Sequence, residues 1–111
     1  MTKCQYIDKI TSMRIISKKT IKDFYEQTLY KDSKEALEAW HKEVVKADWQ
    51  SPNDIKEQYR HASIIGNNRV VFNIHGNKYR LIVKINYFAK VVYIRFIGTH
   101  NQYDKIDATE I

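Results

Sequence analysis

Hydrophobic and polar residues alternate most regularly between Arg69 and Ile97, where the pattern predicts three β-strands. A period of two places successive side chains on opposite faces of a sheet. The predicted strands are residues 69–74, 79–85 and 92–97. The segment from His75 to Lys78 between the first two is a turn, because Gly and Asn tolerate a positive φ angle. Residues 87–90 form a second turn with a weaker signal, so the stretch is predicted to be an antiparallel meander.

The two turns also predict which residues face each other across the strands. The predicted pairs are Ile74 with Tyr79, Asn73 with Arg80, Val71 with Ile82, Asn86 with Val91, Lys84 with Tyr93, Ile82 with Arg95, and Arg80 with Ile97. One face of the sheet is then apolar and comprises Phe72, Ile74, Tyr79, Leu81, Val83, Ile85, Ile94 and Phe96. The opposite face is exposed and carries Asn73, Arg80, Lys84, Tyr93 and Arg95 with a few aliphatic residues. A slip of one residue in either hairpin would exchange the two sets.

The residues before the meander supply helices that can cover the apolar face. Ser17 is an N-cap candidate for a first helix. The apolar stripe of that helix is Ile21, Phe24, Tyr25, Thr28 and Leu29, at the spacing of an amphipathic helix. Asp32 and Glu35 form a capping-box pair for a second helix. The buried side of that second helix is predicted to be Leu37, Trp40, Val44 and Ala47, whereas the pattern assigns no place to Trp49.

Shorter elements complete the chain. Ser51 and Pro52 open a third helical turn, with Asp54 reaching back and Ile55 and Tyr59 as its anchors. Short strands are predicted at residues 13–16 and 62–65. The fold class is therefore α+β, with an N-terminal strand and a helical hairpin packed on one face of a small antiparallel sheet. Residues 1–12 are weakly patterned and are predicted to be a disordered or alternative-start extension to a single domain at residues 13–111.

Composition restricts the class of protein. A chain of 111 residues can bury a core without metal or disulfide support, and Cys4 has no second cysteine to pair with. A lone cysteine suits a reducing compartment, so a cytoplasmic protein is expected. The sequence contains no apolar run long enough for a membrane helix and no signal-peptide pattern.

The positive charge is concentrated in one part of the chain. The net charge is +6, and between Gln58 and Tyr103 there are seven basic residues and no acidic one. Charge segregated onto a sheet indicates a polyanion or an acidic protein as partner, although a solvated basic surface would have the same composition.

Several kinds of catalytic site are missing from the sequence. It has no metal-ligand spacing, no phosphate-binding glycine loop and no nucleophile triad. Metal-free cleavage of RNA remains, since the RNA 2′-OH can act as nucleophile if the protein supplies a base, an acid and cations. Arg80, Lys84 and Arg95 are candidates for the phosphate, and His100 and Tyr103 are candidates for proton transfer. The alternative is that His100 is an ordinary loop residue and that Tyr103 closes the end of the sheet.

Two blocks of sequence, RVVFNIHGNKYRLIVKINY and VVYIRFIGTHNQYDKIDA, carry a resemblance to a known family. They resemble the HigB-type toxins of bacterial toxin–antitoxin pairs, within the RelE/ParE superfamily. The segments MRIISKKTIKDFYEQ, WHKEVVKADW and SPNDIK are similar to the same family, so the resemblance extends from Met13 to Ile111.

This resemblance implies a RelE/ParE-like toxin that cleaves mRNA on translating ribosomes without a metal or other cofactor, through the RNA 2′-OH. It implies neutralisation by a cognate HigA-type helix-turn-helix antitoxin and contact with operator DNA only through that antitoxin. The positions that fit catalytic roles are His100, Tyr103, Arg95, Lys84 and Arg80; Asn73, Lys78, Tyr93 and Lys105 are assigned to RNA binding. Two alternatives stay open: a non-catalytic inhibitor of a protein target, as ParE-type relatives inhibit gyrase, and an RNA-binding module without cleavage.

Overall fold

The computed structural model describes residues 12–111, so the predicted extension at residues 1–12 lies outside it except for Ser12. The strands are β1 (Arg14–Ile16), β2 (Ser63–Ile65), β3 (Arg69–Ile74), β4 (Tyr79–Asn86) and β5 (Val91–Thr99). The helices are α1 (Lys18–Tyr25), α2 (Lys34–Val45), α3 (Pro52–Gln58) and α4 (His100–Tyr103), with a 3-10 helix at Thr28–Ser33.

The five strands form one sheet in the order β1-β5-β4-β3-β2. The meander of β2 to β5 is antiparallel, and β1 pairs with β5 in parallel at the opposite edge. The predicted α+β class and the role of the N-terminal strand as a pairing partner of the meander are therefore confirmed.

The first hairpin has the predicted register. Ile74 lies opposite Tyr79 and Asn73 lies opposite Arg80. His75 and Gly76 both adopt positive φ angles, 56° and 68°, and so turn the chain within the four-residue connection. Turn chemistry and alternation together were sufficient to predict this half of the sheet.

The second hairpin departs from the predicted register at a β-bulge. Asn86 pairs with Val91 and Lys84 with Tyr93, as predicted, but the register shifts between Ile82 and Val83. Beyond that point Ile82 lies opposite Phe96 and Arg80 lies opposite Gly98, so the predicted pairs Ile82–Arg95 and Arg80–Ile97 are wrong. A bulge places two residues of one strand against one of its neighbour, which simple alternation does not reveal.

The bulge also changes which side chains of β5 reach the core. Ile97, now opposite Leu81, packs against the core beneath the helices, whereas Phe96 does not belong to that cluster. The prediction that Phe96 lies on the apolar face is therefore wrong, because the extra residue reverses the alternation of the strand beyond it.

The helices cover the face of the sheet that carries Phe72 and Leu81. Trp40 packs edge-on against the Phe72 ring, with 5.4 Å between ring centroids. Trp49, which had no predicted place, is 2% exposed and stacks against the same ring at 6.0 Å. Its indole Nε1 donates a hydrogen bond to Gln58 Oε1 at 3.0 Å, so its polar atom is satisfied within the core.

The connection between α1 and α2 differs from the prediction in two respects. Helix α1 ends at Tyr25, and Leu29 in the following 3-10 helix is 81% exposed, so its predicted place on the buried stripe is wrong. Asp32 does not cap α2, which begins after Ser33. Its carboxylate instead accepts hydrogen bonds from Lys78 Nζ and, at 2.5 Å, from the Tyr79 hydroxyl. Asp32 therefore joins the helical layer to the first hairpin of the sheet.

Replacing Leu81 tests the assignment of the two faces. Leu81 is fully buried, and a carboxylate there would face the helices unpaired at a cost of several kcal/mol, a large part of the ~5–15 kcal/mol that stabilises a small domain. We expect Leu81→Asp to prevent folding, as measured by circular dichroism and chemical denaturation. The matched change Leu29→Asp, at an exposed leucine, should leave the protein folded. A folded Leu81→Asp protein would contradict the assignment of the faces.

Replacing Asp32 tests the contact between the layers. The Lys78 ammonium, and after it the Tyr79 hydroxyl, holds the pKa of the Asp32 carboxyl below its ordinary value of 3.8. A lowered pKa in the folded protein stabilises it above pH 3.8, and this stabilisation is lost as the pH falls through the folded-state pKa. We expect Asp32→Asn to lower the free energy of unfolding at pH 7 and to lower it less below pH 3.8. Urea denaturation across this pH range measures the free energy of unfolding of the wild type and of the variant. A difference between the two proteins that does not change with pH would contradict the stabilising role of the Asp32 charge.

Candidate nucleic-acid interface

The face of the sheet opposite the helices is partly covered by the chain itself. Helix α4 contacts β4 and β5, and residues 104–111 follow it back towards β3. Asn67 Nδ2 donates to the carbonyl oxygen of Thr109 at 3.0 Å. Val71 and Ile82 are buried although they do not belong to the core beneath the helices. The expectation of a fully exposed second face is therefore wrong at its centre, and the exposed chemistry lies towards its two ends.

Alternation along β4 puts Arg80 and Lys84 on this same second face. They are four positions apart, which corresponds to about 13 Å along a strand. Arg80 lies beside α4, whereas Lys84 lines a cleft with Tyr93 and Arg95. The predicted site residues are thus on one face but form two groups.

The first group is built around Arg80, which is only 9% exposed. Its guanidinium donates to the carbonyl oxygen of Asn77 at 3.0 Å and lies 5.9 Å from the centroid of the Tyr103 ring, a cation–π contact. Gly98 lies opposite Arg80 across the strands. A Cβ atom at Gly98 would come within 2.5 Å of the Phe96 ring and 2.6 Å of Gln102 Oε1, so a larger residue would displace both side chains.

Helix α4 brings two predicted site residues to this end of the sheet. Its N-cap is Thr99, whose hydroxyl accepts from Gln102 N at 3.2 Å, while Gln102 Oε1 accepts from Thr99 N at 2.9 Å. This reciprocal capping box stabilises a helix of only four residues. It thereby orients His100 and Tyr103 directly after the last strand.

His100 has an acidic partner that the sequence analysis did not assign to the site. Its ring Nδ1 lies 3.1 Å from Asp104 Oδ2, one helical turn further on. A carboxylate can only accept a hydrogen bond, so this contact favours a proton on Nδ1 and leaves Nε2 able to accept one. The spacing of four residues between His100 and Asp104 on a helix was the signal that could have identified the pair.

The second group lies in a cleft of about 620 Å³ at the opposite end of this face. The cleft is lined by Asn68, Lys84, Ile85, Asn86, Tyr87, Phe88, Tyr93 and Arg95, and none of these side chains is acidic. Within residues 12–111 neither Lys84 nor Arg95 forms an ion pair, and both are exposed. By contrast, Lys78 pairs with Asp32 and Lys90 pairs with Asp48. The positive charge of Lys84 and Arg95 therefore has no carboxylate partner within residues 12–111, and both side chains line this cleft.

Arg69 is a further cation near the cleft that the sequence analysis did not assign. It lies opposite Lys84 and is 8% exposed, and its guanidinium donates to the carbonyl oxygen of Ile111 at 2.5 Å. Arg95 Nε donates to the same oxygen at 3.4 Å. Two guanidinium groups thus converge on one oxygen atom, an arrangement that also suits a phosphate oxygen.

The residues assigned to RNA binding are dispersed. Tyr93 lines the cleft with Lys84 and Arg95, and Lys105 is exposed after α4. Lys78 is paired with Asp32 at the first hairpin, and Asn73 lies beyond the end of β2 on a separate groove beside α2. Only Tyr93 among these four shares a cleft with two of the predicted catalytic residues.

Within residues 12–111, His, Cys, Asp and Glu side chains nowhere gather in threes in a way that could hold a metal ion. None of the helices in that part of the chain is long and apolar enough to cross a membrane.

Comparison with known proteins gives concordant results. The sequence model of the HigB_toxin family, described as the RelE-like toxic component of a toxin-antitoxin system, matches residues 33–106. The mRNA interferase toxin HigB of Escherichia coli K12 is 28% identical to this chain over 94 residues, which cover 83% of this chain and 88% of that protein. Proteins named mRNA interferase HigB from Escherichia coli O157:H7 and Shigella flexneri match with the same identity over the same share of each chain. The chain therefore belongs to the HigB toxin family, the RelE-like toxic components of toxin–antitoxin systems.

Proposed function

We propose that this toxin is a metal-independent endoribonuclease that inhibits translation by cleaving mRNA, with the RNA 2′-OH as nucleophile. The observation that carries the proposal is the His100–Asp104 pair beside Arg80 and Tyr103. The other end of the same face holds Lys84 and Arg95, which form no ion pair within residues 12–111. The relatives named as mRNA interferases support the choice of RNA as the substrate class.

In the proposed reaction, His100 Nε2 removes the proton from a 2′-OH while Asp104 holds Nδ1 and stabilises the imidazolium that forms. The 2′-oxygen attacks the adjacent phosphorus, and the bond from phosphorus to the 5′-oxygen breaks. Tyr103 is proposed to give the leaving 5′-oxygen its proton. The products are then a 2′,3′-cyclic phosphate and a 5′-hydroxyl, with no net consumption of water or a cofactor.

The cations have separate tasks in this scheme. Arg80, held beside Tyr103, is proposed to neutralise charge that builds on the phosphate during attack. Lys84 and Arg95 are proposed to bind a different phosphate of the same RNA, because Lys84 lies about 13 Å from Arg80 along β4. Binding at two places along the backbone would hold the reacting linkage in position over α4.

The cellular context follows from the family and is part of the proposal. We infer that cleavage takes place in the cytoplasm on translating ribosomes, that a HigA-type helix-turn-helix antitoxin neutralises the toxin, and that the toxin contacts operator DNA only through it. Membership of a toxin–antitoxin family supports the antitoxin as a partner.

Mutation of the proposed site tests the activity in cells. We expect induction of the wild-type protein to stop growth and to create new mRNA ends within codons, as measured by mapping 5′ ends. His100→Ala and Arg95→Ala should each abolish toxicity, because they remove the base and a phosphate contact. The matched changes His61→Ala and Lys19→Ala, at an exposed histidine and an exposed lysine elsewhere, should remain toxic.

The controls separate the proposed site from loss of folding. Both inactive variants should keep the wild-type circular dichroism spectrum and still bind the antitoxin. Toxicity of both at matched protein levels would contradict the site. DNA breaks with intact mRNA would instead indicate an inhibitor of gyrase, and growth arrest with neither would indicate an RNA-binding module without cleavage.

The chemistry of the cut tests the nucleophile. A message with a single 2′-deoxynucleotide at the mapped cut site, bound to ribosomes with purified toxin, should stay intact at that site because its nucleophile is missing. The unmodified message should yield a 2′,3′-cyclic phosphate and a 5′-hydroxyl, identified by end labelling and mass spectrometry. A 5′-phosphate product, or cleavage of the deoxy-substituted message, would show that water and not the 2′-OH attacks.

A further inference from the structure

The turn between β4 and β5 holds an aromatic side chain almost entirely in solvent. Phe88 is 98% exposed, whereas its neighbour Tyr87 packs partly against the core. An exposed phenyl ring loses the favourable burial that aromatic side chains otherwise obtain, so its position at a turn has no evident structural benefit. The fold does not explain why a phenyl ring is exposed at this position, whereas a ligand that binds the ring would explain it.

The turn that carries Phe88 is tied to the protein on both sides. The Ala89 backbone N–H donates to Asn86 Oδ1 at 2.9 Å, and the Lys90 carbonyl oxygen accepts from Arg14 N at 2.8 Å. Lys90 Nζ also donates to Asp48 Oδ1 at 2.6 Å. These contacts hold the turn in one place, so Phe88 is presented to solvent from a fixed support.

The surroundings of Phe88 are those of a polyanion site. Phe88 lines the same cleft as Lys84 and Arg95, two exposed cations that form no ion pair within residues 12–111. Tyr93, opposite Lys84, provides a second aromatic wall. Aromatic platforms beside a positively charged groove are the usual means of binding single-stranded nucleic acid, because every base has a face that can stack. An apolar protein partner would instead favour apolar neighbours around such an anchor.

We propose that Phe88 stacks on a base of single-stranded RNA whose phosphate is bound by Lys84 and Arg95. This inference rests on the proposed function, because it takes RNA as the ligand of this face, and it adds a base-binding subsite. Stacking contributes affinity with little dependence on base identity, which suits a protein that binds mRNA of varied sequence.

The binding test uses the His100→Ala protein as background so that the RNA is not cleaved. Fluorescence anisotropy would measure the dissociation constant for a short single-stranded RNA at several salt concentrations. We expect Phe88→Ala to weaken binding about 5-fold or more, and Phe88→Trp to restore it, because indole also stacks. Leu29→Ala, at an exposed apolar residue on the helical side, should leave the affinity unchanged.

The salt dependence distinguishes stacking from charge. Phe88→Ala should leave the slope of log affinity against log salt unchanged, whereas Lys84→Ala should reduce its magnitude by about 1. Because the Phe88 side chain is 98% exposed, Phe88→Ala and Phe88→Trp should unfold at the temperature of their His100→Ala parent. Unchanged RNA affinity in Phe88→Ala would overturn the proposal, and so would a loss of antitoxin binding without a loss of RNA binding.

The proposed function and this inference can fail separately. If wild-type protein cuts mRNA and Phe88→Ala binds RNA as tightly as its parent, only the stacking subsite is refuted. If wild-type protein leaves mRNA intact yet binds RNA through Phe88, the subsite stands and the proposed nuclease activity is refuted.

Discussion

The β-bulge in β5 is the constraint on which the functional face depends. The strand packs both Ile94 and Ile97 against the core beneath the helices, and these residues are three positions apart, a spacing that strict alternation does not allow. One extra residue resolves this conflict, and it lies at Arg95. The same shift brings Gly98 opposite Arg80, where the absence of a side chain makes room for Phe96 and Gln102. Packing on one side of the sheet thereby sets the arrangement of cations on the other.

Ion pairs between the layers determine which cations stay available. The acidic residues of the helical half reach the sheet at two of its turns, where Asp32 binds Lys78 and Asp48 binds Lys90. Both turns are thereby fixed to the helices, and both of these lysines are largely neutralised. Lys84 has no such partner within residues 12–111, because it points away from the helical layer. Lys84 and Arg95 thus bring two positive charges without an ion-pair partner within residues 12–111 to one cleft.

The opposite end of the face is organised by short-range contacts. A capping box gives the four-residue helix α4 a defined start, and the contact between His100 and Asp104 spans its single turn. Tyr103 on the same helix closes over Arg80. Residues 100–104 thus supply a histidine, a phenol and a carboxylate, and β4 supplies the guanidinium of Arg80. This set of groups fits general acid–base chemistry on a bound phosphate.

The sequence by itself determined the strands, the first hairpin and the faces of β4, because these depend on alternation and turn residues that are near in the chain. It also carried the HigB resemblance that the family comparison confirmed, and it predicted His100, Tyr103 and the basic residues as candidate site residues. Only the tertiary structure decided the bulge at Arg95, the place of Trp49, the partner of Asp32 and the partial cover over the second face. Each of these depends on contacts between residues far apart in the chain. Packing at such contacts can override the local preference of a segment for a secondary structure, so that local preference does not predict the outcome.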